Sequence, residues 1–278
     1  MSRPLRASWS WRLDTADARG WPVHIRCLVP AGDHTGNLAA AVKALDDPGT
    51  TTAATRRSIL LTLADALIAD SSTKHADIWT CYPSSTGLPK LASAIATAGV
   101  AFSVFPGQYI PDLFIRHRPA VRASTARRQG SDPGFPNQTN SVHLNPRWIN
   151  AIYGRHIIVL DDFCTRGHSF ECARLLLLTA QAHRVDGVAI GRYGTKYTVR
   201  TIRPGVIWDP WRPAWLNDDA FIHTIVGPNS SKIWTVTQLT ARILRRAIVT
   251  LARIAMALLQ VLQLFIRFVL LLFKLLPR

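Results

Sequence analysis

Acidic residues are scarce in this chain of 278 residues, which has 17 of them against 33 lysines and arginines and a formal net charge of +16. Residues 232–278 contain eight basic residues and no acid, and residues 116–128 contain five and no acid. These thirteen charges account for most of the sixteen. The positive charge is therefore local rather than spread over a general nucleic-acid-binding surface, and no specific nucleic-acid partner is expected.

Cysteine is also rare, and the four cysteines show no CxxC spacing, so a reducing compartment is expected. The first twenty residues contain no apolar run of signal-peptide length, which predicts a cytoplasmic rather than a secreted protein. No cysteine stands at the N-terminus, and we therefore expect no glutamine-hydrolysing activity. An apolar content of 48% is enough to fill the core of one sizeable domain with an appendage.

One segment, residues 155–174, combines several chemically informative residues. Its apolar run, residues 157–160, is short and β-branched, which is typical of a central strand of a parallel sheet. Asp161 and Asp162 follow, and they would lie at the carboxyl end of that strand, where open α/β sheets place their ligands. A tight turn over residues 163–169 and an amphipathic helix are predicted next.

The predicted turn has groups suited to an anion. The hydroxyls of Thr165 and Ser169 stand beside the amide groups of a helix N-terminus, and Gly167 permits a close approach of phosphate or a positive φ. Asp161 and Asp162 would repel phosphate, so we expect them to face sugar hydroxyls or a hydrated divalent cation. The alternative is an ordinary strand–turn–helix unit with a capping serine and a solvated acidic pair.

The segment resembles the signature that binds 5-phosphoribosyl 1-diphosphate (PRPP) in type I phosphoribosyltransferases. That signature is a hydrophobic strand, two acidic residues, two variable residues and Thr-x-Gly-x-Ser/Thr. The resemblance covers about residues 79–192, and the flanks GRHIIVLDD and FECARLLL are similar to competence-protein-type members. It implies a Rossmann-like fold, Mg²⁺ as cofactor, and transfer of phosphoribose to a nitrogenous acceptor with release of pyrophosphate.

The resemblance also implies roles for single residues. Asp161 and Asp162 would bind the ribose hydroxyls and reach the metal through water or those hydroxyls. The residues implied for the 5-phosphate are Thr165, Arg166, Gly167, His168 and Ser169. Arg166 stands where the family more often has Thr or Ser, and its charge is compatible with a phosphate ligand. An acidic residue occupies the Thr165 position in 6-oxopurine members, so its absence argues against that subgroup and leaves the acceptor open.

A second strand–loop–helix unit precedes the motif. Residues 77–82 are predicted as a strand, and a hydroxyl-rich loop leads into a helix with Leu91, Ile95 and Ala98 on its inner face. The loop residues that the resemblance assigns to pyrophosphate are Ser84, Ser85, Thr86 and Gly87. An ordinary connection between strand and helix is the alternative.

Residues 106–150 contain few periodic apolar residues and are predicted as a long loop. Loops of this length in compact domains are usually functional or mobile. Family members have a flexible loop at this place that closes over pyrophosphate, and we expect Arg122, Arg127 and Arg128 to serve there. A solvated basic segment is the alternative.

The remaining segments complete a predicted α/β fold with a mostly parallel central sheet flanked by helices. Strands are predicted at 23–29, 100–105 and 185–191, and helices at 37–46 and 53–69. The predicted domains are an N-terminal accessory layer (1–75), a phosphoribosyltransferase core (76–230) and a long hydrophobic cationic helix (236–276). Residues 192–219 are predicted to be irregular and aromatic, and their tryptophans would either form a packed cover, which we favour, or stack on a base.

The last segment contains no glycine or proline between residues 236 and 276. Its polar residues recur every seven positions, which places them in one narrow stripe on an otherwise apolar helix. They are Arg246, Arg253, Gln260, Arg267 and Lys274. Such a helix could lie on an anionic membrane surface, cross the bilayer with its stripe facing another copy or a pore, or pack in a helical assembly. We expect lipid binding or self-association through 240–276, at the inner face of the membrane.

Two functions follow from this combination. One is a membrane-tethered phosphoribosyltransferase, and the other is a non-catalytic regulatory or effector protein that senses PRPP or a nucleotide. The coupling of a sugar-phosphate site to a cationic hydrophobic helix is the reason to keep the second.

Overall fold

The computed structural model describes residues 11–30, 73–85, 91–101, 105–121 and 134–227. Several predictions lie outside these ranges: the helices at 37–46 and 53–69, the site residues Thr86, Gly87, Arg122, Arg127 and Arg128, and the helix at 236–276. The described elements all belong to the first of two units into which the chain divides, Met1–Trp234.

The described strands and helices alternate along much of the chain. The strands are β1 (Trp11–Ala16), β2 (Pro22–Pro30), β3 (Ile78–Cys81), β4 (Gln108–Tyr109), β5 (Phe114–Arg116), β6 (Val142–Leu144), β7 (His156–Cys164), β8 (Arg184–Arg192), β9 (Tyr197–Ile202) and β10 (Phe221–Val226). The helices are α1 (Leu91–Ala101), α2 (Pro136–Thr139), α3 (Ile149–Ile152) and α4 (His168–Thr179), with 3₁₀ turns at Pro146–Trp148 and Asp218–Ala220.

Six of these strands form one sheet in the order β1-β2-β8-β7-β3-β4. β1 runs antiparallel to β2, and the other neighbouring pairs are parallel. The prediction of a mixed α/β fold with a mostly parallel central sheet is therefore confirmed. The accessory layer predicted for the N-terminal segment differs in its described part, because β1 and β2 extend the edge of the sheet itself through the pairing of β2 with β8.

The centre of the sheet is β7, whose residues 157–160 are all buried. One face is covered by α4, since Phe170 packs so closely on β8 that a Cβ at Gly187 would lie 2.8 Å from its ring. The other face is covered by α1, whose Ala92 and Ile95 line a small cavity together with residues of β7 and β8. The two helices thus bury opposite faces of a strand that is apolar on both, as the sequence of β7 requires.

β7 continues beyond its predicted end. The acidic pair lies inside the strand, and the turn begins at Thr165 rather than at Phe163. The reason is tertiary: β8 is equally long and offers Gly191 as partner for Phe163 and Arg192 as partner for Cys164.

The strand predicted at 100–105 is wrong in its described residues. Val100 and Ala101 belong to α1, because the alanine-rich run continues the helix through them. Phe105 lies in a bend, where its ring stacks on that of Trp79 with 4.1 Å between centroids. Among the described residues that follow α1, the next strand is the short β4.

Two regions predicted as irregular contain ribbons of paired strands. Within residues 106–150, β5 and β6 are antiparallel and are followed by α3, with the apolar side chains of β6 buried. Within residues 192–219, β9 forms a second ribbon with β10. Both ribbons are short and polar in part, which is why the apolar periodicity of the sequence does not reveal them.

Candidate functional site

From two adjacent parallel strands, β3 and β7, the chain continues toward opposite edges of the sheet. β3 continues through α1 to β4 at one edge, whereas β7 continues through α4 to β8 on the other side. Parallel strands whose connections diverge in this way leave a crevice at their carboxyl ends, where open α/β sheets bind ligands. At the mouth of the crevice, the N–H of Tyr82 donates to the carbonyl of Leu160 at 2.8 Å. Residues 83–85 follow β3 immediately beyond this bond, and the acidic pair lies in the last part of β7.

Asp161 and Asp162 lie at the crevice on opposite faces of β7, as successive residues of a strand do. Asp161 is only 3% exposed, and its Oδ1 accepts the N–H of Asp162 at 2.9 Å. Asp162 faces α1, and its Oδ1 accepts the N–H of Ala92 at 2.6 Å. Asp162 therefore also stabilises the beginning of α1, where a carboxylate is favoured by the helix dipole.

The turn that follows β7 is tightly constrained at Gly167. This residue precedes α4 with a φ of +83°, a left-handed conformation that favours glycine. The ring of Tyr197 packs directly on it, so that a Cβ would lie 2.1 Å from a ring carbon. Arg166 is exposed, whereas Thr165, His168 and Ser169 are half-buried. The turn thus lies at the surface with its middle held against β9.

The same turn is bound from β8 and β9. Arg192 Nη1 donates to the carbonyl of Thr165, and the N–H of Thr198 donates to the carbonyl of Arg166 at 3.1 Å. Arg192 Nη1 also contacts Cys164 Sγ at 2.8 Å. The contacts of Arg192 come from β8, which lies on the other side of β7 from β3. Together with the bond from Thr198 they fix the conformation of the turn.

The cysteines around the crevice differ in pKa. Burial raises the pKa of Cys81 to about 12, so its thiol stays protonated. Burial alone would also raise the pKa of Cys164, but a hydrogen bond with Cys27 and the positive charge of Arg192 lower it below the ordinary value. The guanidinium of Arg192 thus places a positive charge immediately behind the turn.

The hydroxyl-rich loop after β3 is described as far as Ser85. Ser84 and Ser85 are half-buried, and the carbonyl of Ser85 accepts the N–H of Ala120 at 3.4 Å. Arg116 Nη2 donates to the carbonyl of Pro83 at 3.2 Å, and its Nη1 donates to Ser141 Oγ at 2.6 Å. The sequence reasoning favoured Arg122, Arg127 and Arg128 over Arg116, yet the structure places Arg116 in contact with this loop.

The short segment around α2 connects this loop to the rest of the site. The side chain of Asn137 bonds both the N–H and the carbonyl of Val121 at 3.1 Å. Gln138 Oε1 accepts Tyr82 Oη at 3.0 Å and Arg116 Nη2 at 3.2 Å. Val121 is thereby held close to the hydroxyl loop, directly before the segment that contains the predicted loop arginines.

Phe135, on the far side of that segment, lies against the turn. Its ring meets the ring of His168 edge-on with 6.1 Å between centroids, and the guanidinium of Arg200 lies 4.2 Å from its centre. His168 Nε2 is also 3.3 Å from Arg200 Nη2. Val121 and Phe135, which lie on either side of residues 122–133 in the sequence, therefore both lie at the crevice. Val121 is beside the hydroxyl-rich loop, and Phe135 is beside the turn after β7.

A buried polar network joins α4 to β9 and to the turn after β1. Glu171, the single glutamate of the sequence, accepts bonds from Tyr197 Oη at 2.9 Å and from the N–H of Arg200 at 2.7 Å. Arg174 donates to both oxygens of Glu171 at 3.1 and 2.8 Å, and to Asp17 Oδ2 at 3.0 Å. Burial, together with the negative charge of Glu171, raises the pKa of Tyr197 well above its usual value, so the phenol remains a donor.

The aromatic residues after β8 divide into two groups. Trp208 is buried and packs edge-on against Phe221 at 6.0 Å, as expected of a packed cover. Trp215 is exposed, and the guanidinium of Arg118 lies over its ring at 4.0 Å. No sequence signal separated these two tryptophans, because the difference depends on the position of β10.

The structure brings together every predicted site residue that it describes. They are Ser84, Ser85, Asp161, Asp162, Thr165, Arg166, Gly167, His168 and Ser169, and they lie at the carboxyl ends of β3 and β7. Sequence reasoning missed Arg192 and Tyr197, which contact the turn. The available signal for Arg192 was a charged residue directly after the apolar run of residues 187–191.

The described residues contain neither a metal-binding cluster nor a membrane-spanning helix. No group of three or more His, Cys, Asp or Glu side chains within the described ranges could hold a metal ion. No helix in this part of the chain is long and apolar enough to cross a membrane.

Comparisons with known proteins add a weak likeness. No family model matches the chain. No curated protein matches it. Twenty chains of solved structures are similar to it, among them one described as the allosteric regulatory enzyme of purine biosynthesis, with 19% identity and a TM-score of 0.31. The alignment covers 48% of this chain and 26% of that enzyme, so the chain matches about a quarter of that enzyme's length.

Proposed function

We propose that this chain binds PRPP in the crevice between β3 and β7 and transfers its phosphoribose to a nitrogenous acceptor, releasing pyrophosphate. The observation that best supports this proposal is that the predicted site residues lie where the strand connections diverge. The acidic pair lies in the last part of one of the two diverging strands and the Thr-x-Gly-x-Ser turn follows it, whereas the hydroxyl-rich loop follows the other strand. Such a crevice is the general ligand position of open α/β sheets.

Each part of PRPP has a chemical counterpart in the proposal. The 5-phosphate would bind the turn before α4, where hydroxyls and main-chain amides meet the positive end of the helix dipole. Asp161 and Asp162 would bind the ribose hydroxyls. Pyrophosphate would bind the loop of residues 84–87, and the arginines expected to close over it are Arg122, Arg127 and Arg128.

The reaction requires positioning and charge neutralisation rather than a protein nucleophile. The bond from the anomeric carbon to pyrophosphate breaks, a bond to the acceptor nitrogen forms, and the transition state resembles an oxocarbenium ion. Holding the 5-phosphate and the ribose hydroxyls keeps the anomeric carbon in place, which contributes through orientation. Cationic groups around the pyrophosphate stabilise the charge that develops on it.

Magnesium fits this proposal as an ion that enters with the pyrophosphate. The described side chains do not form a three-ligand cluster, and Asp162 already accepts a bond from Ala92. Mg²⁺ keeps several waters and binds substrate phosphates in preference to an all-protein cage. Asp161 and Asp162 would therefore contact it through water or ribose hydroxyls. When bound, the ion supplies positive charge to the leaving group.

A PRPP- or nucleotide-sensing role is the second candidate. The bond from the N–H of Ala92 to Asp162 favours it, because a ligand that engages Asp162 would also act on the beginning of α1. Such coupling would suit a regulatory protein that responds to ligand without transferring phosphoribose. In either case we propose that residues 236–276 tether the protein to the inner face of the membrane or to an assembly.

Purified protein with PRPP, Mg²⁺ and a panel of nucleobases and amines tests both candidates. We expect pyrophosphate release with one acceptor, and its loss in Asp161→Asn and Asp162→Asn. Asp209→Asn, which alters an exposed carboxylate paired with Arg212, is the matched control and should keep full activity. PRPP binding without release would favour the sensor, and the absence of both binding and release would refute both functions.

A further inference from the structure

Arg192 is a buried cation that has no carboxylate partner among the described residues. Only 3% of its surface is exposed, and no carboxylate of the described residues lies within 4.0 Å of its guanidinium. The group lies beside two neighbouring aromatic rings, 4.3 Å from the centre of Trp11 and 5.9 Å from that of Tyr197. A charge taken out of water in this way is costly unless hydrogen bonds or an opposite charge compensate it.

The hydrogen bonds of Arg192 go mainly to main-chain carbonyls. Nη1 donates to the carbonyl of Thr165 and Nη2 to that of Lys196 at 2.5 Å. These neutral partners position the guanidinium but leave its net charge in place. Arg192 is the partner of Cys164 in the sheet, and Cys164 directly precedes the turn that the proposed function assigns to the 5-phosphate.

Arg192 is one of three donors that together determine which side of the turn presents amides. The carbonyls of three successive residues are bound by protein donors: Thr165 by Arg192, Arg166 by the N–H of Thr198 at 3.1 Å, and Gly167 by the N–H of Glu171 at 2.8 Å. The described peptide bonds are all trans, so each following N–H points away from its carbonyl. The N–H groups of residues 166–168 are therefore directed away from these donors. An anion would meet amides there and avoid carbonyl oxygens.

From these contacts we propose that Arg192 is a positioning residue for anion binding at this turn. It orients the peptide group between Thr165 and Arg166, and its charge, which no carboxylate of the described residues neutralises, attracts the phosphate of a sugar phosphate without touching it. This inference rests on the proposed function, because it assumes that the turn binds the 5-phosphate. It adds a residue from the neighbouring strand to that site.

Calorimetric titration with ribose 5-phosphate, and with PRPP and Mg²⁺, tests the inference on the full-length protein. Arg192→Met should weaken ribose 5-phosphate binding by about ten- to a hundredfold, since it removes a charge and its hydrogen bonds behind the turn. Arg192→Lys should restore part of the affinity, because it retains the charge but not the planar fork that reaches two carbonyls. The matched control is Arg184→Met at the opposite end of β8, which removes the same charge far from the crevice and should leave binding within about twofold.

The outcomes separate the inference from the proposed function. If native protein binds ribose 5-phosphate and Arg192→Met binds it equally well, the inference is overturned and the function stands. If native protein binds neither ligand, the proposed function is refuted, and the inference that rests on it is refuted as well. Should Arg192→Met not fold, Arg192→Lys decides: unchanged affinity together with unchanged amide resonances of residues 166–168 would overturn the inference, and weakened affinity with shifted resonances would support it.

Discussion

Gly167 serves the turn in two ways that can be separated by experiment. Its φ of +83° is difficult for other residues, and the ring of Tyr197 occupies the space that a side chain would need. Local sequence motifs alone would explain this glycine by close approach of a phosphate or by its positive φ, whereas the structure also requires it for packing against β9. Substitution therefore disturbs the fold as well as any ligand contact.

Gly167→Ala should lower the free energy of unfolding by about 2–5 kcal/mol, the sum of left-handed strain and forced displacement of the ring. Urea unfolding monitored by circular dichroism measures the change. Gly194→Ala is the matched control, because Gly194 has a φ of +70° with no atom within 4 Å of a built Cβ. It should cost only the strain, about 1–2 kcal/mol. Equal losses in the two variants would contradict the contact with Tyr197.

At the scale of elements, α4 is held to the rest of the fold by buried polar groups as well as by its apolar face. Glu171 and Arg174 stand on the same side of the helix and reach β9 and the turn after β1. Because each charge has its partners, the network is compatible with the core, whereas removal of one partner would leave another unsatisfied. The network also fixes the first turn of α4, which carries the predicted phosphate-binding residues.

Glu171→Gln should destabilise the protein by about 3–5 kcal/mol, since it leaves the buried cation of Arg174 with one carboxylate fewer and turns an amide donor toward other donors. Thermal and urea unfolding measure this loss. Asp209→Asn, which affects an exposed ion pair, should change stability by less than about 1 kcal/mol. A loss for Glu171→Gln as small as that of the control would show that the network contributes little.

For the whole molecule, the distribution of charge separates two parts of the chain. Residues 232–278 combine eight basic residues with no acid, whereas the α/β unit contains the acidic pair and the crevice. A cationic apolar helix is attracted to anionic lipid through both its charge and its apolar face. The proposal that this segment tethers the protein depends on sequence pattern, since its residues lie outside the described ranges.

Deletion of residues 240–278 should move the protein from the membrane fraction to the soluble fraction of a cell lysate. The truncated protein should retain the circular dichroism of the α/β unit and its affinity for PRPP. Sedimentation of both forms with and without vesicles of anionic lipid measures the change. Full-length protein that is soluble and monomeric without detergent would refute the membrane proposal.

The central part of the fold could be predicted from sequence because its signals are local. The apolar run of β7, the acidic pair after it and the glycine before α4 each follow from neighbouring residues. The same reasoning was wrong at residues 100–105, where an alanine-rich helix continues into a stretch that resembles a strand. It also missed β5 and β6, which have three residues each, and the ribbon of β9 and β10, whose second strand is largely exposed.

The sequence by itself determined the strand–turn–helix motif, the residue types offered to a ligand and the uneven charge. Only the tertiary structure decided that Asp161 and Asp162 lie on opposite faces of β7 beside α1 and that the two hydroxyl-bearing loops share one crevice. It alone placed Arg192 behind the turn. These features depend on strand order and on pairing between residues far apart in the chain, which local periodicity does not encode.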